Sequence, residues 1–153
     1  MEEQTTGCLV CGAPLEYFPS QIEMECTYCH KTFMSNARCV NGHFICDSCH
    51  EQMGLRVIED ICRHTDSKDP VAIMKKIILS PYIYMHGPEH HVLVGSALLA
   101  AYKNAGGELD LDAALEEMRN RGAQVPGGIC GLWGTCGAAV STGIFVSLIT
   151  GAS

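Results

Sequence analysis

Seven cysteines and one histidine near the front of the chain are spaced for metal binding. They form four pairs: Cys8/Cys11, Cys26/Cys29, Cys39/His43 and Cys46/Cys49. Two cysteines with two residues between them can turn both sulfurs to one point, and zinc asks for four such groups in a tetrahedron. Few long apolar segments accompany them, so metal must replace a hydrophobic core here. His50 follows Cys49 directly and reads as a helix-start residue, not a ligand.

The four pairs can be shared between two zinc ions in two ways. A sequential scheme joins Cys8, Cys11, Cys26 and Cys29, then Cys39, His43, Cys46 and Cys49. An interleaved scheme joins Cys8, Cys11, Cys39 and His43, then Cys26, Cys29, Cys46 and Cys49. Crowding four ligands into eleven residues favours the interleaved scheme. The segment between the first two pairs keeps the sequential one open. There Leu15–Phe18 and Ile22–Met24 read as two short strands about a Pro-Ser turn, a hairpin with C-x2-C at each end. Gly12 and Gly42 allow the tight turns that such knuckles need. Residues 26–49 resemble the first six ligands of a RING finger, with GHFIC and DSC similar to the seven-in-absentia type. The last RING pair is missing after Cys49, and Cys8/Cys11 can stand in for it.

A second set of reactive groups lies in the other half. MHGPEHH places His86, Glu89, His90 and His91 around a helix start, and Cys130 and Cys136 sit in a glycine-rich stretch before the last helix. A cysteine at a helix N-terminus meets the positive end of the macrodipole, which favours the thiolate. Cys136 is therefore the candidate nucleophile or ligand and Cys130 its resolving thiol or co-ligand. His86, His90 and His91 are candidate bases or co-ligands, for thiol redox, a further metal or an iron–sulfur cluster. If the helices starting near residues 88 and 136 run parallel, these groups meet. Cys62, among apolar neighbours, reads as a small core residue.

The elements that must hold these groups are mostly helical. Helices are expected over residues 50–66, from Pro70 to Ser80, from Gly87-Pro88 to Asn104, over 109–122, and from about Thr135 to Thr150. Pro126–Gly134 reads as a loop. The fold class is α+β: residues 1–50 form a two-zinc ribbon or RING-like cross-brace module, and residues 51–153 an all-helical domain. An apolar helix at the end of the chain suggests a buried terminus or a trimmed chain.

Totals narrow the function. The chain of 153 residues is 47% hydrophobic and 18% charged, as for a packed protein. Ten cysteines behind a polar, leaderless start point to a reducing, cytoplasmic setting and to metal rather than disulfides. No apolar run is as long as a membrane span. A net charge of −7 argues against nucleic acid. A protein partner and an oligomer are the associations expected.

The motifs CLVCG, ARCVNGHFICDSCH, TDSKDP, MHGPEHHVLVGSALLAAY and VPGGICGLWGTCGAA resemble an uncharacterised Cys-rich domain family of anaerobic bacteria and archaea. The end of the chain, TCGAAVSTGIFVSLITG, also looks like a redox-active family whose pattern begins Cys-Gly-Cys-Ala. That likeness implies a helical thiol-redox or cluster-binding domain, with Cys136 at the matching position. The rival reading is a non-catalytic zinc-finger interaction module.

Overall fold

The computed structural model describes residues 7–84 and 87–152. Among these, the chain forms one two-stranded sheet and six helices. It divides into two compact units, Met1–Met53 and Gly54–Ser153.

The first unit is built on an antiparallel hairpin of β1 (Leu15–Glu25) and β2 (Thr32–Cys39). Pro19-Ser20 is not the turn of this hairpin. Residues 15–25 form one strand, and its partner is the segment beyond Cys29. The register pairs Leu15 with Cys39 and Tyr17 with Ala37, then resumes at Ile22 with Ser35. Four residues of β1 thus face Asn36 alone. Proline lacks the N–H that a ladder needs, and Pro19 falls in this irregularity. The three extra residues are an odd number, so the alternation flips. Leu15, Tyr17, Ile22 and Met24 thereby share one face.

The hairpin is curled. Cys39 N–H donates to the His43 carbonyl at 2.9 Å, and Thr27 N–H donates to the carbonyl of the next residue, Phe44, at 2.8 Å. Seven straight strand steps from Cys39 to Thr32 would span about 23 Å. Two neighbouring carbonyls can reach groups only about 11 Å apart. The ribbon must bend to bring its open end and its tip to adjacent residues, and a bulge bends and twists a strand. Phe33 and Phe44, with ring centroids 6.2 Å apart, pack inside the bend.

Helix α1 (Asp47–His64) begins three residues earlier than expected, and the division between units falls within it. In the second unit, α2 (Pro70–Ile78) starts at an Asp69 cap whose carboxylate accepts from Val71 N–H at 2.9 Å. Helix α3 (His90–Asn104) is central, with nine of its residues buried. Helix α4 (Leu111–Gly122) is capped by Asp110. Helix α5 (Ile129–Trp133) is a single turn in the stretch expected to be a loop, set between Gly128 and Gly134, both left-handed. Helix α6 (Gly137–Thr150) follows, with Cys136 at its N-cap, the helix start expected for it.

Small residues let α3 and α6 approach. A Cβ on Gly95 would stand 2.6 Å from the Ser141 carbonyl oxygen, and one on Gly137 would stand 2.5 Å from His91 Cδ2. The matching steps, 91 to 95 and 137 to 141, run the same way, so the two helices are parallel. Leu93, Leu99, Leu115, Met118, Ile58, Ile73 and Ile77 fill the core around α3. No helix among the described residues is long and apolar enough to cross a membrane.

Candidate metal centres and a thiol-bearing helix start

Three knuckles are closed by a backbone N–H that returns to the first cysteine's carbonyl, from four residues on in the first two and from three in the third. Gly12 N–H donates to the Cys8 carbonyl at 2.7 Å, His30 N–H to that of Cys26 at 2.9 Å, and Gly42 N–H to that of Cys39 at 2.7 Å. All three closing residues have positive φ: 72° at Gly12, 56° at His30 and 87° at Gly42. The knuckle of Cys26 and Cys29 is itself the β1–β2 turn, held by Cys26 N–H on the Lys31 carbonyl. The fourth pair needs no turn. Cys46 accepts the first helical bond of α1 from His50 N–H, so Cys49 stands one turn on from it.

These turns gather the ligands in the interleaved arrangement. Cys8, Cys11, Cys39 and His43 form one group, and Cys26, Cys29, Cys46 and Cys49 the other, with ligand atoms in each within 4.8 Å of one another. Cys11 and Cys39 sulfurs are 3.5 Å apart, Cys29 and Cys46 sulfurs 3.8 Å, and Cys8 Sγ lies 3.7 Å from His43 Nδ1. A tetrahedron with metal–sulfur bonds of 2.3 Å has sulfurs about 3.8 Å apart, and a sulfur–nitrogen edge of about 3.6 Å. The two groups could therefore hold metal ions such as zinc. All ten cysteines are free thiols rather than disulfides.

The electrostatics favour a cation. The Ala13 backbone N–H and the Asn41 amide bring the Cys11 thiol down to about 6. Burial pushes Cys26 up, but N–H groups of Cys29, Cys46 and Tyr28 outweigh it and bring it down to about 6. Burial, then the neighbouring sulfurs of Cys46, Cys29 and Cys26, push Cys49 up to about 12. Cys39 and Cys46 are also raised, chiefly by burial. One centre thus ionises Cys11 readily and resists ionising Cys39, and the other ionises Cys26 readily and resists ionising Cys46 and Cys49, until a positive ion enters. Backbone N–H groups already point at the sulfurs: Val10 at Cys8, Asn41 at Cys39 and Cys46 at Cys26.

In the second unit, Cys130 and Cys136 are exposed, on α5 and at the start of α6. His91 is 7% exposed, and its Cδ2–Nε2 edge faces Gly137, next to Cys136. His90 is engaged elsewhere, its Nε2 lying 2.7 Å from the Tyr84 carbonyl. His86 lies outside the described residues. Among the described residues, no third group of three ligand atoms gathers Cys130, Cys136, His90 and His91. Trp133, on α5, is 65% exposed. Cys62 is sealed in the core, and burial pushes its thiol up to about 12. Sequence reasoning placed Glu89 at the helix start without giving it a role; it is 1% exposed, accepts from Tyr84 N–H at 3.1 Å and folds over Gly87. Its signal was Gly87 two residues before it, since any side chain there would strike the carboxylate.

The molecule therefore pairs a cross-braced module with two four-ligand centres and a helical unit with a thiol-bearing helix start. The helical unit carries its membership: residues 58–153 match the model of the Family of unknown function (DUF5714), and the chain belongs to that family. The eight metal-spaced residues lie outside the matched segment, whereas the resemblance read from the motifs ran through both units. No curated protein and no solved structure matches the chain.

Proposed function

We propose that this is a zinc protein with thiol chemistry in its helical unit. Two zinc ions are held by Cys8, Cys11, Cys39 and His43 and by Cys26, Cys29, Cys46 and Cys49, and their role is structural. The observation that carries this is the closing of both ligand groups to tetrahedral edge lengths. Soft thiolates in a tetrahedron suit zinc, and a complete set of four leaves no open position for substrate. The chemistry then falls to the exposed thiols Cys130 and Cys136. Thiol redox is favoured over an iron–sulfur cluster or a third metal because the ligands that those would need are not gathered among the described residues.

Elemental analysis and visible spectroscopy on anaerobically purified protein test both parts. Two zinc per chain and a colourless sample are expected. Brown absorbance lost on Cys130→Ala or Cys136→Ala would replace thiol redox by a cluster. Fewer than two metals per chain would overturn the zinc reading. Two zinc with Cys130 and Cys136 inert to disulfides would leave the rival, a zinc module that only docks a protein partner.

A further inference from the structure

The start of α6 differs from an ordinary helix end in what surrounds it. The N–H groups of Gly137, Ala138 and Ala139 have no hydrogen-bond acceptor among the described residues, and Cys136 makes no side-chain cap. The first turn holds no acidic residue. The first N–H groups of a helix are left without intrahelical partners and carry a partial positive charge. A second group is aimed at the same place. His91 comes from another helix, is more than nine-tenths buried, and has no hydrogen bond to its ring among the described residues. Its Nε2 stands 3.2 Å from where a Cβ of Gly137 would be. The ring nitrogens of His91 are not sealed from solvent, so a ligand can reach them and take the place of water there.

These groups all want a negative charge, and the N-cap of the same helix start is a thiol, Cys136. We propose that Cys136 exchanges with low-molecular-weight disulfides that carry a carboxylate, which docks on the free N–H groups of α6 and on His91 Nε2–H. This rests on the thiol reading above and names its substrate class. The thiolate sulfur of Cys136, its proton lost to water, attacks one sulfur of the disulfide. A Cys136–sulfur bond forms, the original S–S bond breaks, and the leaving thiolate takes up a proton from solvent. The disulfide is the oxidant, so Cys136 is oxidised as one half of the small molecule is reduced. His91 is a positioning residue that binds the carboxylate and takes no proton from the thiol. The stretch from Gly122 to Ser153 has no charged residue of its own, and Arg121 reaches into it only toward the far end of α6, where its guanidinium donates to Ser147 at 2.9 Å.

The test measures, on the metal-loaded full chain, the rate of mixed-disulfide formation at each cysteine by mass spectrometry. The probes are a dicarboxylate disulfide, dithiodiglycolate, and a cationic one, cystamine. With a protein of net charge −7, general electrostatics favours cystamine. The expected result is a preference of about tenfold for the dicarboxylate at Cys136 and the opposite order at Cys130. His91→Leu should remove the preference and His91→Gln, which keeps an N–H donor, should restore most of it. Gly137→Ala, which displaces the ring without deleting it, should also lower it. Reaction at Cys136 with cystamine as fast as with the dicarboxylate would overturn the docking and leave the thiol reading standing. No reaction at Cys136 with either probe would overturn both.

Discussion

The sulfurs of Cys11 and Cys39 stand 3.5 Å apart although 28 residues separate them in the chain. Only an interleaved assembly gives that contact, because Cys39 then closes on the first pair across the whole hairpin. Each centre depends on the hairpin, and the hairpin is curled to serve both. Cys39→Ala should therefore lower the metal content to one ion or none per chain. It should also unfold the first unit, seen as loss of strand signal in circular dichroism. A sequential assembly would leave the Cys8–Cys29 half folded and loaded.

Acid should release the metal in a defined window. Cys11 and Cys26, one in each centre, ionise near pH 6 rather than near the ordinary thiol value of 9.0. Their lowered values favour the folded, charged form above the ordinary value, and that advantage fades as pH falls through 6. Metal transfer to a chromophoric chelator should be slow at pH 7–8 and quicken steeply below about pH 6. A rate flat from pH 8 to 5 would contradict the thiolate assignment.

The three positive-φ knuckle turns make a matched comparison. Gly12 and Gly42 meet no strain there, whereas His30 bears a Cβ in the left-handed region, a cost of about 1 kcal/mol. Thermal melting should show Gly42→Ala destabilised by about 1 kcal/mol and His30→Gly neutral or slightly stabilised, the lost exposed Glu25 contact counting for little.

The α3–α6 crossing should tolerate no added carbon. A Cβ on Gly95 would meet Met118 Cε at 2.3 Å and the Ser141 hydroxyl at 2.7 Å, besides the Ser141 carbonyl. Gly95→Ala should cost about 1–3 kcal/mol by denaturant melting. Gly143→Ala, where a Cβ would meet nothing within 4 Å, should be neutral or stabilising.

Cys62 should be silent to alkylation. In the metal-loaded native protein at pH 8, iodoacetamide should label Cys130 and Cys136 and spare Cys62. Its raised value, about 12, favours the folded state below pH 9 and stops doing so as pH rises toward 12. Stability lost between pH 9 and 11 should therefore be smaller in Cys62→Ala than in the natural chain, even though the variant starts lower.

The ligand set was legible because knuckle spacing is local: each C-x2-C is a statement about one turn. Helices α2 and α4 were legible for the same reason, since Asp69 and Asp110 cap them within three residues. The hairpin was not. Leu15–Met24 looks like two strands because Pro19-Ser20 looks like a turn, and nothing nearby tells that the partner strand lies past Cys29. The partner itself, TFMSNARC, hides because Ser35 and Asn36 interrupt its apolar alternation. His91 facing Gly137 is also non-local. It follows from the direction in which α3 and α6 cross, which was open in the sequence.

The cross-brace sets the order in which a growing chain can capture its ions. A ribosome has already delivered Cys8, Cys11, Cys26 and Cys29 when Cys39 and His43 emerge to complete the first centre, and Cys49 completes the second six residues later. Ions taken up by the two centres would then be trapped almost together, on a nascent segment whose hairpin has had to curl first. Shortage of the ion during synthesis would leave the whole unit unassembled rather than half built.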